Sequence, residues 1–315
     1  MGVLDSLLPI FLIIGLGAVL TSRGFLTPEF LKNLNRLAYY IGMPGLLFVS
    51  VSTATLQGIR PICVSTVILG ASFGALIAGY VFARMLRLPG ASTGTFVQSC
   101  FRSNLAFVGL PLVLHIFNQP GAPATPEEII PTVAVAIAPI MICYNILAVI
   151  VLVSSHQRIN SQSMQMMILQ IVTNPLVIAV AAGLLAATFS LRLPGPIEST
   201  VKSVGGLAIP AALLGVGGTI VQAPLRAQLK PALAAALTKV ALMPLVGLAF
   251  ARLLHLPLLD AAIACMLCAT PTAAASFIMS MQLRGDPAIA SSSIALSTLL
   301  SVVPMAAALH FLPTG

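Results

Sequence analysis

Apolar residues run along this chain in ten long blocks, each near the roughly 20 residues that an α-helix needs to cross a bilayer. The blocks fall at approximately 3–21, 36–56, 62–86, 92–117, 129–153, 166–189, 203–221, 230–253, 259–282 and 287–312. Polar and turn-forming residues collect between them, as in Ser22-Arg-Gly24, Arg87-Leu-Pro-Gly90, the Pro-rich stretch from Asn118 to Glu128, and Arg284-Gly-Asp-Pro287. The pattern predicts an all-α membrane protein of ten transmembrane helices, with no connection long enough for a separate soluble domain.

Two blocks depart from the pattern. The fourth carries Phe101-Arg-Ser-Asn104-Leu-Ala-Phe-Val-Gly109-Leu-Pro111, which puts a cation, two hydrogen-bonding side chains and a Gly-x-Pro breaker where Leu and Val are expected. The ninth carries Cys268-Ala-Thr270-Pro271-Thr272-Ala-Ala-Ala-Ser276. Proline removes a backbone donor and strains the turn before it. Irregular backbone at membrane depth is tolerated only inside protein or beside a wet cavity. Paired interrupted helices in the two halves of a chain point to a transporter's substrate site. Their N-terminal ends suit an anion, and their unwound carbonyls suit a cation.

The halves also repeat. Phe82-Ala-Arg-Met-Leu-Arg-Leu-Pro89 recurs as Phe250-Ala-Arg-Leu-Leu-His-Leu-Pro257, a shift of 250 − 82 = 168. Pro9 matches Pro175 and Gly17 matches Gly183, both at a shift of 166 (175 − 9; 183 − 17). Pro44 matches Pro210 at the same shift, and Pro139 matches Pro304 at 165. This predicts a duplicated five-span unit, residues 1–157 and 158–315. Because five is odd, the second unit is inverted, with helices four and nine broken and crossing.

Composition agrees with a polytopic chain. Of 315 residues, 58% are hydrophobic and 7% charged, against about 25% charged in soluble domains. The +8 net charge is scattered over loops, with no basic stripe for nucleic acid. Loops after odd-numbered spans hold nine Lys and Arg (Arg23, Lys32, Arg36, Arg84, Arg87, Arg158, Arg226, Lys230, Arg284), and the other side four (Arg60, Arg192, Lys202, Arg252). The positive-inside rule then places both termini outside the cytoplasm. Asp5 and the absence of a small-residue cleavage site argue against a cleaved leader. Met1-Gly-x-x-x-Ser6 fits a myristoylation pattern that would add nothing to a multi-span chain. The five cysteines lie in apolar blocks and read as packing residues, including the Cys265-x-x-Cys268 pair.

Arg102 and Lys239 lie within blocks four and eight, where a cation costs at least about 2.5 kcal/mol at the bilayer centre unless it pairs, snorkels or faces a cavity. Asn145 adds a polar group in block five. All seven carboxylates sit at block ends or in loops, which removes an aspartyl-dyad protease and a buried Asp/Glu proton relay. There is no His-Glu-x-x-His either, so no enzyme is expected.

Together the motifs resemble the auxin efflux carrier family. Asn104-Leu-Ala-Phe-Val-Gly109-Leu-Pro111 is similar to its fourth-span signature, Pro271-Thr-Ala-Ala-Ala-Ser-Phe277 with Gly285-Asp-Pro287 to its ninth span and following turn, and Asn174-Pro175-Leu to its sixth span. The resemblance covers essentially the whole chain. It implies a PIN-like fold of a bacterial short-loop type, in which spans one, two, six and seven form a scaffold and the rest a moving transport domain. Family members carry organic anions such as auxin or malonate. Ser103 stands where plant carriers place a Pro, and their long cytosolic loop is missing.

The expectation is a secondary transporter of a small mono- or dicarboxylate in a bacterial inner membrane, working by alternating access of elevator type. The rival is a sensor or channel on the same fold. Candidate substrate-binding residues are Arg102, Ser103, Asn104, Gly109, Pro111, Asn145, Pro271, Thr272 and Ser276. No cofactor or resident metal is expected. Coupling is open to Na⁺ or H⁺, with Na⁺ held by carbonyls and hydroxyls, or the membrane potential acting on the anion, favoured over an Asp/Glu relay. Partners are the anion and the lipid bilayer, with a homodimer left open.

Overall fold

The computed structural model describes residues 3–53, 61–119, 122–156, 161–223 and 228–309. Three of the basic residues counted for orientation, Arg60, Arg158 and Arg226, and the Gly2 of the myristoylation pattern lie outside them. Among the described residues the fold is all-α: α1 (Val3–Ser22), α2 (Pro28–Leu37), α3 (Met43–Ser52), α4 (Pro61–Met85), α5 (Gly90–Phe101), α6 (Leu110–Phe117), α7 (Pro126–Ser154), α8 (Ser161–Val172), α9 (Pro175–Thr188), α10 (Gly195–Gly206), α11 (Ala208–Gln222), α12 (Leu229–Leu237), α13 (Met243–Leu253), α14 (Leu258–Ala269), α15 (Ala275–Gln282), α16 (Pro287–Leu300) and α17 (Val302–Leu309).

Among the described residues, four stretches are long and apolar enough to span a membrane: Pro61–Met85, Pro126–Ser154, Gly195–Gln222 and Leu229–Leu253. A fifth, α16 with α17, bends by 48° at Ser301. Pro304 in the first turn of α17 has no N–H for the Leu300 carbonyl, so the ladder opens there. Other apolar blocks of the sequence are interrupted. Block four divides into α5 and α6, and block nine into α14 and α15. Outward side chains such as Leu12, Leu16, Ile77, Leu185 and Leu245 are exposed, as lipid contact requires.

Local sequence explains where many helices start. Thr27-Pro28, Thr125-Pro126, Asn174-Pro175 and Asp286-Pro287 each put an oxygen-bearing cap before a proline whose missing N–H costs nothing in the first turn. Asn174 Oδ1 accepts from Leu176 and Val177 N–H at 3.0 and 3.3 Å. Asp286 Oδ1 accepts from Ala288 and Ile289 N–H at 3.1 and 3.2 Å. Internal prolines act differently. Pro44, Pro111 and Pro244 each follow a wide π turn, at Ala38–Gly42, Leu105–Gly109 and Thr238–Leu242. There the N–H just before the proline reaches the carbonyl five residues back, which makes room for the ring against the preceding turn.

Helix α1 packs along α11, and α3 along α9 and α10; α4, α5, α7, α12, α13, α14 and α16 form a second packed group. Gly17 and Gly183 each allow a close approach in the first group. A Cβ on Gly17 would lie 2.3 Å from the Leu214 carbonyl oxygen, and one on Gly183 would lie 2.9 Å from Val51 Cβ. The turns recur too. Gly24 and Ser190 (190 − 24 = 166) are left-handed, with φ of 76° and 52°, and so are Arg87 and His255 (255 − 87 = 168), with φ of 52° and 51°. In all four, the next N–H closes onto a carbonyl five residues back, in the manner of a Schellman ending (Phe25 to Leu20, Leu191 to Ala186, Leu88 to Ala83, Leu256 to Ala251).

Candidate functional site

The two interruptions meet. After Phe101 the chain leaves the helix, with Arg102 extended (φ −82°, ψ 100°) and Asn104 at φ −82°, ψ 66°. After Ala269 it does the same, with Thr270 at φ −60°, ψ 151°, because the residue before a proline is pushed out of the helical region. The extended pieces pair antiparallel, Ser103 opposite Thr272. Asn104 N–H donates to the Pro271 carbonyl and Ala273 N–H to the Arg102 carbonyl, both at 2.8 Å.

Buried backbone groups freed by the breaks must find partners, and side chains supply them. Pro271 cannot donate to the Leu267 carbonyl, so the Thr270 hydroxyl does, at 2.7 Å. Thr272 Oγ1 donates to the Ser99 carbonyl at the end of α5, at 2.8 Å. Thr272 N–H donates to Ser297 Oγ at 3.0 Å, which ties the break to α16. Lys239, fully buried on the π turn between α12 and α13, donates to the Cys268 and Thr270 carbonyls, each at 2.7 Å.

Beside this junction lies a cavity of about 60 Å³. Arg102, Asn104, Tyr39, Tyr144, Asn145 and Asn174 supply its polar lining, and Ala273–Ala275 close one side. Arg102 is 7% exposed; its Nη2 donates to Asn145 Oδ1 at 2.7 Å and its Nη1 contacts Met279 Sδ. Asn104 Oδ1 caps the turn into α6 by accepting from Phe107 N–H at 3.3 Å. Its Nδ2, though buried, has no hydrogen-bond partner among the described residues. The walls are fixed by packing: Tyr39 meets Phe107 edge-on with ring centres 6.0 Å apart, and Tyr144 bonds Ser72 at 2.9 Å.

The electrostatics of the cavity favour an anion. Three helix beginnings border it: the turn capped by Asn104, the start of α15, and α9 behind Asn174. Each carries a partial positive charge. Helix α15 has no side-chain cap. Among the described residues no carboxylate lines the cavity, and Arg102 makes no ion pair. No group of three or more His, Cys, Asp or Glu is placed to hold a metal ion among the described residues.

Of the residues singled out from sequence, Arg102, Ser103, Asn104 and Asn145 line this one cavity. Gly109, Pro111, Pro271, Thr272 and Ser276 lie at or near the junction without lining it. Gly109 lets α6 approach α14, since a Cβ there would lie 2.9 Å from Leu267 Cδ2. Pro111 shapes the π turn, while Pro271 and Thr272 hold the strand-like pairing. Ser276 is buried, its carbonyl held by Gln98 Nε2 at 2.9 Å. Sequence reasoning missed Tyr39, Tyr144, Asn174 and Ala273–Ala275 as lining residues. Asn174 carried a signal, an Asn-Pro helix start inside an apolar block; the tyrosines carried none beyond their neighbours.

An all-α bundle with interrupted helices that meet beside a buried cationic cavity has the architecture of a membrane transporter. The sequence model of the membrane transport protein family matches residues 2–309, and the chain belongs to that family, the auxin efflux carriers. It is also 29% identical over 123 residues to an uncharacterized transporter of Methanothermobacter thermautotrophicus. That match takes in 38% of this chain and spans 40% of the relative's length.

Proposed function

We propose that the protein is a secondary transporter of a small organic anion, bound in the Arg102–Asn104 cavity and carried by alternating access. The observation that carries this reading is the Asn104 Nδ2, buried and without a partner among the described residues, on a residue that lines the same cavity as Arg102, whose guanidinium has no carboxylate counter-ion among them. A buried donor left without a partner is costly in a resting protein, and an arriving carboxylate would satisfy it. A cavity of about 60 Å³ has room for about four to six waters, which suits a compact mono- or dicarboxylate such as malonate better than an indole ring.

The reading includes ten spans in two inverted repeats, 1–157 and 158–315, with broken spans four and nine crossing at the site. The recurring left-handed turns support it, as do the repeat-related glycines. So does the packing. The α1–α11 pairing maps onto α9–α3 under the shift, and these helices border the group that holds the junction through α11–α16 and α3–α7 contacts. Such a division suits an elevator movement of one group against the other. The proposed setting is a bacterial inner membrane with both termini outside the cytoplasm.

The test is uptake of labelled malonate and indole-acetate into proteoliposomes, wild type beside Asn104→Ala, with and without a Na⁺ gradient. Saturable malonate uptake is the expected result, with half-saturation moved about 10- to 150-fold higher in Asn104→Ala. Uptake unchanged in the variant refutes the site. Ligand binding without flux by folded protein points instead to a sensor.

A further inference from the structure

Lys239 is the second buried cation, and the anion cavity does not use it: it is fully buried and absent from the cavity lining. Its position has a specific cause. Met243-Pro244 forces the π turn Thr238–Leu242, and Lys239 sits on that turn facing the broken end of α14. There the carbonyls run out of amide partners. The Leu267 carbonyl loses the donor that Pro271 lacks and takes the Thr270 hydroxyl. The Cys268 carbonyl loses Thr272 N–H, which is turned away to Ser297. The Thr270 carbonyl lies in extended backbone beyond the helix. Cys268 and Thr270 thus present two carbonyl oxygens at the negative end of a half-helix, the kind of oxygen pair that holds Na⁺ in transporters with discontinuous helices. The Lys239 ammonium reaches both at 2.7 Å, the short end for a charge-assisted bond.

We propose that Lys239 is a tethered cation filling an alkali-cation site at the end of α14, so that the protein binds no mobile Na⁺ or K⁺ there. The positive charge that other broken-helix carriers borrow from solution is built into this chain. It offsets the partial negative charge of the helix end and bridges the two carbonyls of the break. The consequence for coupling rests on the carrier reading: uptake needs no Na⁺ at this site, and the drive comes from the anion's own gradient, the membrane potential or another ion.

The test does not depend on transport. Thermal unfolding of purified protein is followed with a thiol-reactive dye, which reports the buried Cys100, Cys265 and Cys268 as they become accessible. Wild type is expected to melt at one temperature in sodium, potassium, ammonium and choline chloride at equal ionic strength. Lys239→Ala is expected to melt lower in choline, and to recover in a dose-dependent, saturable way with ammonium, methylammonium or Na⁺, small cations that fit between the carbonyls. Lys239→Arg keeps the charge and is expected to fold without responding to any of them. Specific stabilisation of wild type by Na⁺ overturns the proposal. So does a Lys239→Ala protein that no small cation recovers, whether it melts low or fails to fold. If wild-type malonate uptake is absent while this pattern holds, the carrier reading fails and the tethered cation stands.

Discussion

Replacing Asn104 by alanine and by aspartate separates the two jobs its amide performs. The Oδ1 caps Phe107 N–H, and the Nδ2 has no partner among the described residues, on a residue that lines the cavity with Arg102. Alanine removes both. Loss of the cap is expected to destabilise the protein by about 0.5–2 kcal/mol. Loss of the donor removes a hydrogen bond to a charged ligand, worth about 1.5–3 kcal/mol, which is roughly a 10- to 150-fold weaker Kd. Aspartate keeps a cap of equal quality, and Arg102 on the same wall supplies its counter-charge. It also replaces the donor by an anion that neutralises Arg102 and repels the ligand. Unliganded Asn104→Asp is therefore expected to melt closer to wild type than Asn104→Ala does, while binding malonate more weakly than Asn104→Ala. The assay pairs calorimetric titration of malonate with thiol-dye melting in detergent. The chain has no Trp for intrinsic fluorescence, which makes its buried cysteines the useful probe. Malonate affinity retained in Asn104→Asp would show that the Asn104 Nδ2 does not bind the ligand.

Two further predictions concern the frame around the site. Thr272→Val deletes the hydroxyl that serves the Ser99 carbonyl and is expected to cost about 1–3 kcal/mol, measured by melting. Thr272→Ser keeps that bond and loses only one buried methyl, so it is expected to cost less than Thr272→Val, and equal damage from both would contradict the assigned role. Gly17→Val and Gly183→Val would press a Cβ on the Leu214 carbonyl oxygen and on Val51. Both are expected to lower the yield of folded protein in gel filtration, Gly17→Val more, since its neighbour is backbone and cannot turn aside.

Much of the scaffold was legible in the sequence because it rests on short-range chemistry. Apolar block length, Asx-Pro and Thr-Pro helix starts, and the recurring Phe-Ala-Arg repeat all act within a few residues. The breaks at Arg102–Asn104 and Thr270–Thr272 could be placed because Pro271 and Pro111 stand inside apolar runs. What each residue does at the junction could not. Thr272 looked like a ligand-binding hydroxyl, yet the structure turns it to the Ser99 carbonyl, a partner 173 residues away. Lys239 could be flagged as a buried cation, but its carbonyl partners are set by how Thr272 N–H is diverted to Ser297. Nothing local to either proline distinguishes Pro139, which stays within one continuous helix, from Pro304, which follows a 48° bend. Neighbouring helices decide which carbonyl a proline frees and which side chain replaces the lost donor.

The proposed function has the cavity between the broken helices carry a small organic anion by alternating access. Its most direct test is exchange. Proteoliposomes are preloaded with or without unlabelled malonate, and entry of labelled malonate is followed for wild type and Arg102→Gln. Saturable entry that internal malonate accelerates is expected, with loss of that acceleration in Arg102→Gln. Flux linear in concentration and indifferent to preloading would show a pore, and wild-type behaviour in Arg102→Gln would show that the anion binds elsewhere; either result contradicts the account.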